Sequence, residues 1–234
     1  MQYKGTKNSK KELKSIAFIF GYDNFYNDWE TLETDNIIFH FQKGTDIESK
    51  KIFMERRENA FVKINSFFNS NLPKKIDFFV WNSNNDAIKL LKKPLGFTKP
   101  QFCISHNRTN QTLGHELTHN ISFWLKDKKK TTRFINEGIS VYFDLSNRNK
   151  IEKAKNVLKK HKTNFTIKNF WVKDKEFPEE ILYPVAAAFV EHLISFDKEK
   201  FLHLCKNQTF QNAQIIYGTE FENLIKTFNE KTHK

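Results

Sequence analysis

His115, Glu116 and His119 are the residues of this chain best spaced to do chemistry together, in the run His115-Glu116-Leu117-Thr118-His119. On an α-helix, residues four apart sit about 40° apart around the axis and one turn along it. The imidazoles of His115 and His119 then point the same way and can grip one ion. Glu116 is next around the helix, able to reach a water on that ion without being forced to ligate it. Two neutral imidazoles beside a carboxylate base is what metal-assisted hydrolysis asks of one helical turn. A chain of this length carries the pattern by accident about 1% of the time, so its surroundings must decide.

The first requirement is a helix. From Thr109 to Lys126 the apolar residues Leu113, Leu117, Ile121 and Leu125 fall at steps of four, with Trp124 beside them. That is the buried stripe of an amphipathic helix. Thr109 or Asn110 can cap its start, and the lysine-rich stretch from Lys126 to Lys130 suits its C-terminus. His115 and His119 lie on a face next to that stripe.

The second requirement is a third ligand, since two histidines alone hold a metal weakly. Downstream comes Phe134-Ile135-Asn136-Glu137-Gly138-Ile139-Ser140, inside a second helical pattern from about Thr132 to Leu145. Here the chain resembles the gluzincin metallopeptidases, whose peptidase MA-like domains carry the third ligand as a Glu on the next helix. That Glu often stands in a sequence like Trp-Leu-Asn-Glu-Gly-(Phe/Leu)-Ala. Asn136, Glu137 and Gly138 match, and Phe134, Ile135, Ile139 and Ser140 are near matches. Seventeen residues separate His119 from Glu137, one fewer than in the zinc aminopeptidases of the group, and the loop Lys126 to Thr131 can absorb the deletion. The Gly-x-Met-Glu-Asn motif with which those aminopeptidases hold a substrate N-terminus is missing. The resemblance runs from roughly Asp35 to Lys231, specific at His115–His119 and Asn136–Gly138 and pattern-level elsewhere.

The resemblance implies one zinc ion per chain on His115, His119 and Glu137. It implies hydrolysis of a peptide or protein substrate, with Glu116 as the base that activates the zinc-bound water. A phenol can donate to the oxyanion. Tyr183 is placed for this, because it precedes the helix that in the family packs over the site, here Tyr183 to Ile194. Tyr142 is a rival whose spacing from Glu137 turns it toward the opposite face. A ligating histidine usually donates its second N–H to an oxygen. Asp144 shares a face with Glu137 and can serve, though its simpler place is a solvated helix end; Asn136 is a second choice. The alternative from another class is a catalytically inactive, zinc-stabilised binding or scaffold domain. An intact Glu116 counts against it, since a structural site has no use for a base.

His40, His106, His161, His192, His203 and His233 have no partner at ligand spacing. His106, near the active helix in sequence, can line a cleft or sit in the core. Glu191-His192 is no metal pair, because adjacent helical residues point apart.

The net charge of +12 invites a nucleic-acid reading, but 34 of the 39 basic residues are lysine. Phosphate and base recognition leans on the arginine fork, and the lysines are spread over every segment, so no nucleic-acid partner is expected. No apolar run approaches 18 residues, so no membrane span is expected either. The apolar run Ile16 to Phe20 is too short for a signal-peptide core. The chain as written reads as cytoplasmic; relatives in the family are often exported, so a trimmed form of an exported protein is the alternative. Cys103 and Cys205 sit in apolar settings and are expected as buried free thiols.

These pieces fit one α+β domain over 1–234 with a zincin-like plan: a loose arm over 1–14, an α/β lobe over 15–105 and a helical lobe over 106–234. A small mixed sheet with helices comes first, then mainly helices, with the active-site cleft between the lobes. Strands are expected at Ile16–Phe20, Asn36–Gln42, Ile76–Trp81 and Gln101–Ser105. The last, by the resemblance, is the cleft edge that pairs with an extended peptide. Helices are expected over Ile47 to Asn69, stopped by Pro73, and over Asp86–Leu91. Ile215-Ile216-Tyr217-Gly218 and a helix from Phe221 to Phe228 resemble the family's closing Tyr-Gly and helix. Specificity would lie in loops such as Lys92–Pro100 and Lys162–Glu180.

Overall fold

The computed structural model describes residues 16–45, 49–161 and 166–233. The expected arm over 1–14 lies outside the described residues. The fold is α+β, with one mixed five-stranded sheet. The chain separates into two compact units, one made of residues up to Asn59 with Leu72–Gln111, the other of Ala60–Asn71 with Thr112–Lys234.

The first unit holds β1 (Glu30–Glu33), β2 (Ile37–Phe41), β3 (Ile76–Trp81), β4 (Phe97–Lys99) and β5 (Ile104–Arg108), in the order β1-β2-β3-β5-β4. The inner pairs are parallel and the outer two antiparallel. β2 forms because Ile37, Phe39 and Phe41 alternate with Ile38 and His40, and those three are fully buried; period-two alternation is the strand signature. Helix α2 (Lys50–Phe68) lays Phe53 on this face, its ring 5.7 Å from Phe41 and 6.2 Å from Phe39. The opposite face carries Tyr26, Trp29, Phe79 and Trp81 with Leu91 from α3 (Asn84–Leu91).

Two strand expectations are corrected. Residues 16–20 are helical (α1), not extended. Five consecutive apolar residues carry no period that separates strand from helix, and packing decided: Phe18 meets Phe25 and Tyr26 ring to ring, while Ile19 offers its carbonyl to His106. Gln101–Ser105 is not an edge strand either. Residues Pro100–Phe102 form a 3-10 turn, and β5 starts at Ile104 and lies between β3 and β4. The margin on that side is β4, inside a stretch expected as loop. Ser105, His106 and Asn107 are polar yet fully buried, which disguised an interior strand.

His106 belongs to the core. In register across four strands, His40, Phe79, His106 and Phe97 stack face to face at 4.3, 4.6 and 5.1 Å. Trp81 donates its indole N–H to His106 Nδ1 at 3.0 Å, so Nε2 carries the proton and donates to the Ile19 carbonyl at 2.9 Å. Burial pushes this ring down to about 4, so it is neutral.

The second unit is helical: α4 (His115–Phe123), α5 (Arg133–Tyr142), α6 (Lys150–His161), α7 (Ile167–Val172), α8 (Glu179–Phe196), α9 (Lys198–Lys206), α10 (Phe210–Tyr217) and α11 (Glu220–His233). α8 is its axis, with Val185, Ala186, Ala187, Ala188, Phe189 and Val190 all fully buried; a helix apolar all round must be enclosed. α5 lies close against it because Gly138 has no side chain: a β-carbon there would come within 2.8 Å of the Ala186 carbonyl oxygen. Cys103 and Cys205 are both buried and neither is in a disulfide, as expected. Among the described residues no helix is long and apolar enough to cross a membrane.

Candidate metal centre

α4 starts six residues later than its apolar spacing suggested. Neither Thr109 nor Asn110 caps it; Gly114 stands at the N-cap without a side-chain hydrogen bond. Gly114 is there because the Phe143 carbonyl oxygen would lie 1.8 Å from any β-carbon at that position. The helix therefore opens directly on His115, and His119 follows one turn on. α5 is capped by Thr132, whose hydroxyl accepts from the Ile135 N–H and donates to the carbonyl of buried Gln208. Glu137 follows in the second turn of α5.

The three side chains meet. His115 Nε2 and His119 Nε2 lie 3.3 Å apart, and Glu137 Oε2 is 3.6 Å from the first and 3.5 Å from the second. These atoms form a near-equilateral triangle close enough to hold a metal ion. A cation with tetrahedral bonds of about 2.0–2.1 Å requires donors about 3.3–3.4 Å apart, so the spacing fits. Each side chain is less than one-fifth exposed. Burial alone would raise the Glu137 carboxyl, yet its contacts with both histidines hold it well below the usual carboxylate range. Burial alone would lower His115, but Glu137, Glu116 and Asp144 outweigh it and bring the ring above its ordinary value. This negative surround favours positive charge at the centre of the triangle.

The back of His119 is held as a ligand's should be. Its Nδ1 lies 3.1 Å from Ser140 Oγ and 3.1 Å from the Asn136 side-chain nitrogen, and of the two only the hydroxyl can accept an Nδ1–H. Ser140 donates its own proton to the Asn136 carbonyl at 3.0 Å, leaving a lone pair to accept Nδ1–H. That tautomer turns the Nε2 lone pair into the triangle. Asn136 is the expected partner, but it turns its NH2 toward Nδ1, and Ser140, one turn beyond it, supplies the accepting oxygen instead. Asp144 is not a solvated helix end. It is buried, and its Oδ1 accepts from the Ser146 N–H and hydroxyl and from Lys150.

Glu116 is 4% exposed and lies on the turn between the two histidines. Tyr183, in the first turns of α8, has its ring 6.4 Å from that of His115. Burial and then the Glu137 carboxylate push its phenol well above the usual value, so it is protonated and able to donate; Arg133 pulls the other way. Burial, and then Glu191 on α8, raise the Tyr142 phenol above its ordinary value. Arg133 escaped the sequence reading, although it stands one helical turn before Glu137 and so shares its face. His192 bonds to Leu224 and Thr227, and His203 is exposed. No protein-family model matches the chain, and no curated protein matches it.

Proposed function

We propose that the chain is a zinc-dependent metallopeptidase of gluzincin type, hydrolysing internal peptide bonds. The observation that supports it most is the donor triangle of His115, His119 and Glu137, with the buried Glu116 carboxylate on the same turn. Two imidazoles and one carboxylate form a donor set suited to a catalytic zinc, which keeps a fourth position open. When bound, zinc supplies Lewis acidity, acidifying water and polarising a carbonyl. Glu116 takes the proton of the attacking water and returns it to the leaving amine, so the peptide and one water become an acid and an amine. Tyr183 donates its O–H to the carbonyl oxygen as that atom gains charge. Ser140 keeps His119 oriented throughout.

Glu116→Gln tests this reading against a zinc-stabilised scaffold. The substitution keeps shape and hydrogen bonding but removes the base. The expected result is unchanged metal content with peptide hydrolysis reduced at least 100-fold, the scale of lost acid–base catalysis. Turnover equal to wild type would remove Glu116 from the mechanism.

A further inference from the structure

Arg133 makes a set of contacts that a surface arginine has no reason to make. Its Nη1 donates to the carbonyls of Asp174 at 2.8 Å and Phe177 at 2.9 Å. Its backbone N–H donates to the Asp174 carboxylate at 2.8 Å, and the Phe134 N–H reaches the same oxygen at 3.3 Å. The guanidinium carbon lies 5.5 Å from the centre of the Tyr183 ring. Residues four apart share a helical face, so two pairs confront each other: Arg133 and Glu137 on α5, Glu179 and Tyr183 on α8. Nη2 is 3.8 Å from Glu179 Oε1, but Glu179 is 71% exposed and that ion pair contributes little. What the guanidinium holds is the segment 174–177 leading into α8, and through it the first turns of that helix.

We propose that Arg133 is the positioning residue for Tyr183: by bridging the Asp174 and Phe177 carbonyls it fixes the phenol beside His115, where it can serve the developing oxyanion. The inference rests on the metallopeptidase reading for its catalytic meaning, but not for its structural content. Nη1 alone meets both carbonyls, which leaves the rest of the planar guanidinium to lie toward the Tyr183 ring; an ammonium can make the two bonds but offers no plane to the ring. Pro184, the next residue, lacks an N–H and so weakens the first turns of α8. Those turns need an external brace, and Arg133 supplies it.

The test combines a spectroscopic arm and a kinetic arm on the full chain. 3-Fluorotyrosine is incorporated, and the Tyr183 signal among the six tyrosines is assigned by its loss in Tyr183→Phe. The 19F spectrum is recorded on protein as purified and again after chelation. In wild type the Tyr183 resonance should be single and displaced from that of free 3-fluorotyrosine. In Arg133→Met it should collapse toward the free value and broaden, with Arg133→Lys in between and the other five resonances in place. Kinetically, Arg133→Met should lower kcat about tenfold with KM little changed, part of the 100- to 1,000-fold that a lost oxyanion donor costs. In the Tyr183→Phe background the same substitution should have no further effect. An unchanged Tyr183 resonance in Arg133→Met overturns the proposal, and so do losses that multiply in the double variant. If wild type hydrolyses no peptide, the metallopeptidase reading fails, and the fluorine spectra still decide whether Arg133 positions Tyr183.

Discussion

Gly114 and the Phe143 carbonyl are packed so closely that a β-carbon on Gly114 would stand 1.8 Å from the Phe143 oxygen. This contact joins the first turn of α4 to the end of α5, and it lies one residue before His115. Gly114→Ala must push one backbone off the other. We expect a loss of about 3 kcal/mol or more, the upper end of overpacking costs, together with weakened metal binding because His115 moves with the strain. Urea denaturation and metal content check both. Wild-type values for both would mean that the contact relaxes freely and does not set the position of His115.

Ser140 bears on metal affinity by a separate route. Removing its hydroxyl takes away the oxygen that accepts the Nδ1–H of His119 and leaves the Asn136 side-chain nitrogen facing it. Partners of this kind are worth about 10- to 100-fold in metal affinity. Ser140→Ala is therefore expected to weaken metal binding by that factor with little change in fold stability, as read by competition with a chelator. Affinity equal to wild type would mean that the Ser140 hydroxyl does not support His119 as a ligand.

His106 predicts a pH dependence in the first unit. Its folded value is about 4, against an ordinary 6.5 in the unfolded chain. The unfolded state therefore binds the proton first. Stability is complete above pH 6.5 and falls as pH drops from 6.5 to about 4, by roughly 3 kcal/mol if His106 acts alone. His106→Asn, which can still accept from Trp81 and donate to Ile19, should flatten that fall. Parallel pH profiles of denaturation for the two proteins would show that His106 is not its source.

What was legible in the sequence was what periodicity and spacing encode. The α5 pattern, the buried run Ile76–Trp81 and the pairing of His115 with His119 need only local rules, and the structure has them; Glu137, which meets the two histidines, was reached through the family resemblance. The rest depended on partners distant in sequence. β1 is exposed at every position and β4 is three residues long, so neither carries a pattern; each exists because a neighbouring strand completes it. The start of α4 was misplaced because Leu113 keeps the helical spacing, while the residue that decides, Gly114, answers to a carbonyl 29 residues away. Ser140 and Arg133 each sit one helical turn from an expected site residue. A search of the i±4 neighbours of Asn136 and Glu137 would have found both.

Zinc per chain in protein purified without chelator, with Glu137→Ala measured alongside, bears most directly on the triangle of His115, His119 and Glu137. The expected result is about one zinc in wild type and a marked loss in Glu137→Ala. No zinc in wild type, even after it is added back, would contradict the site and leave the His115–His119 spacing a coincidence of sequence.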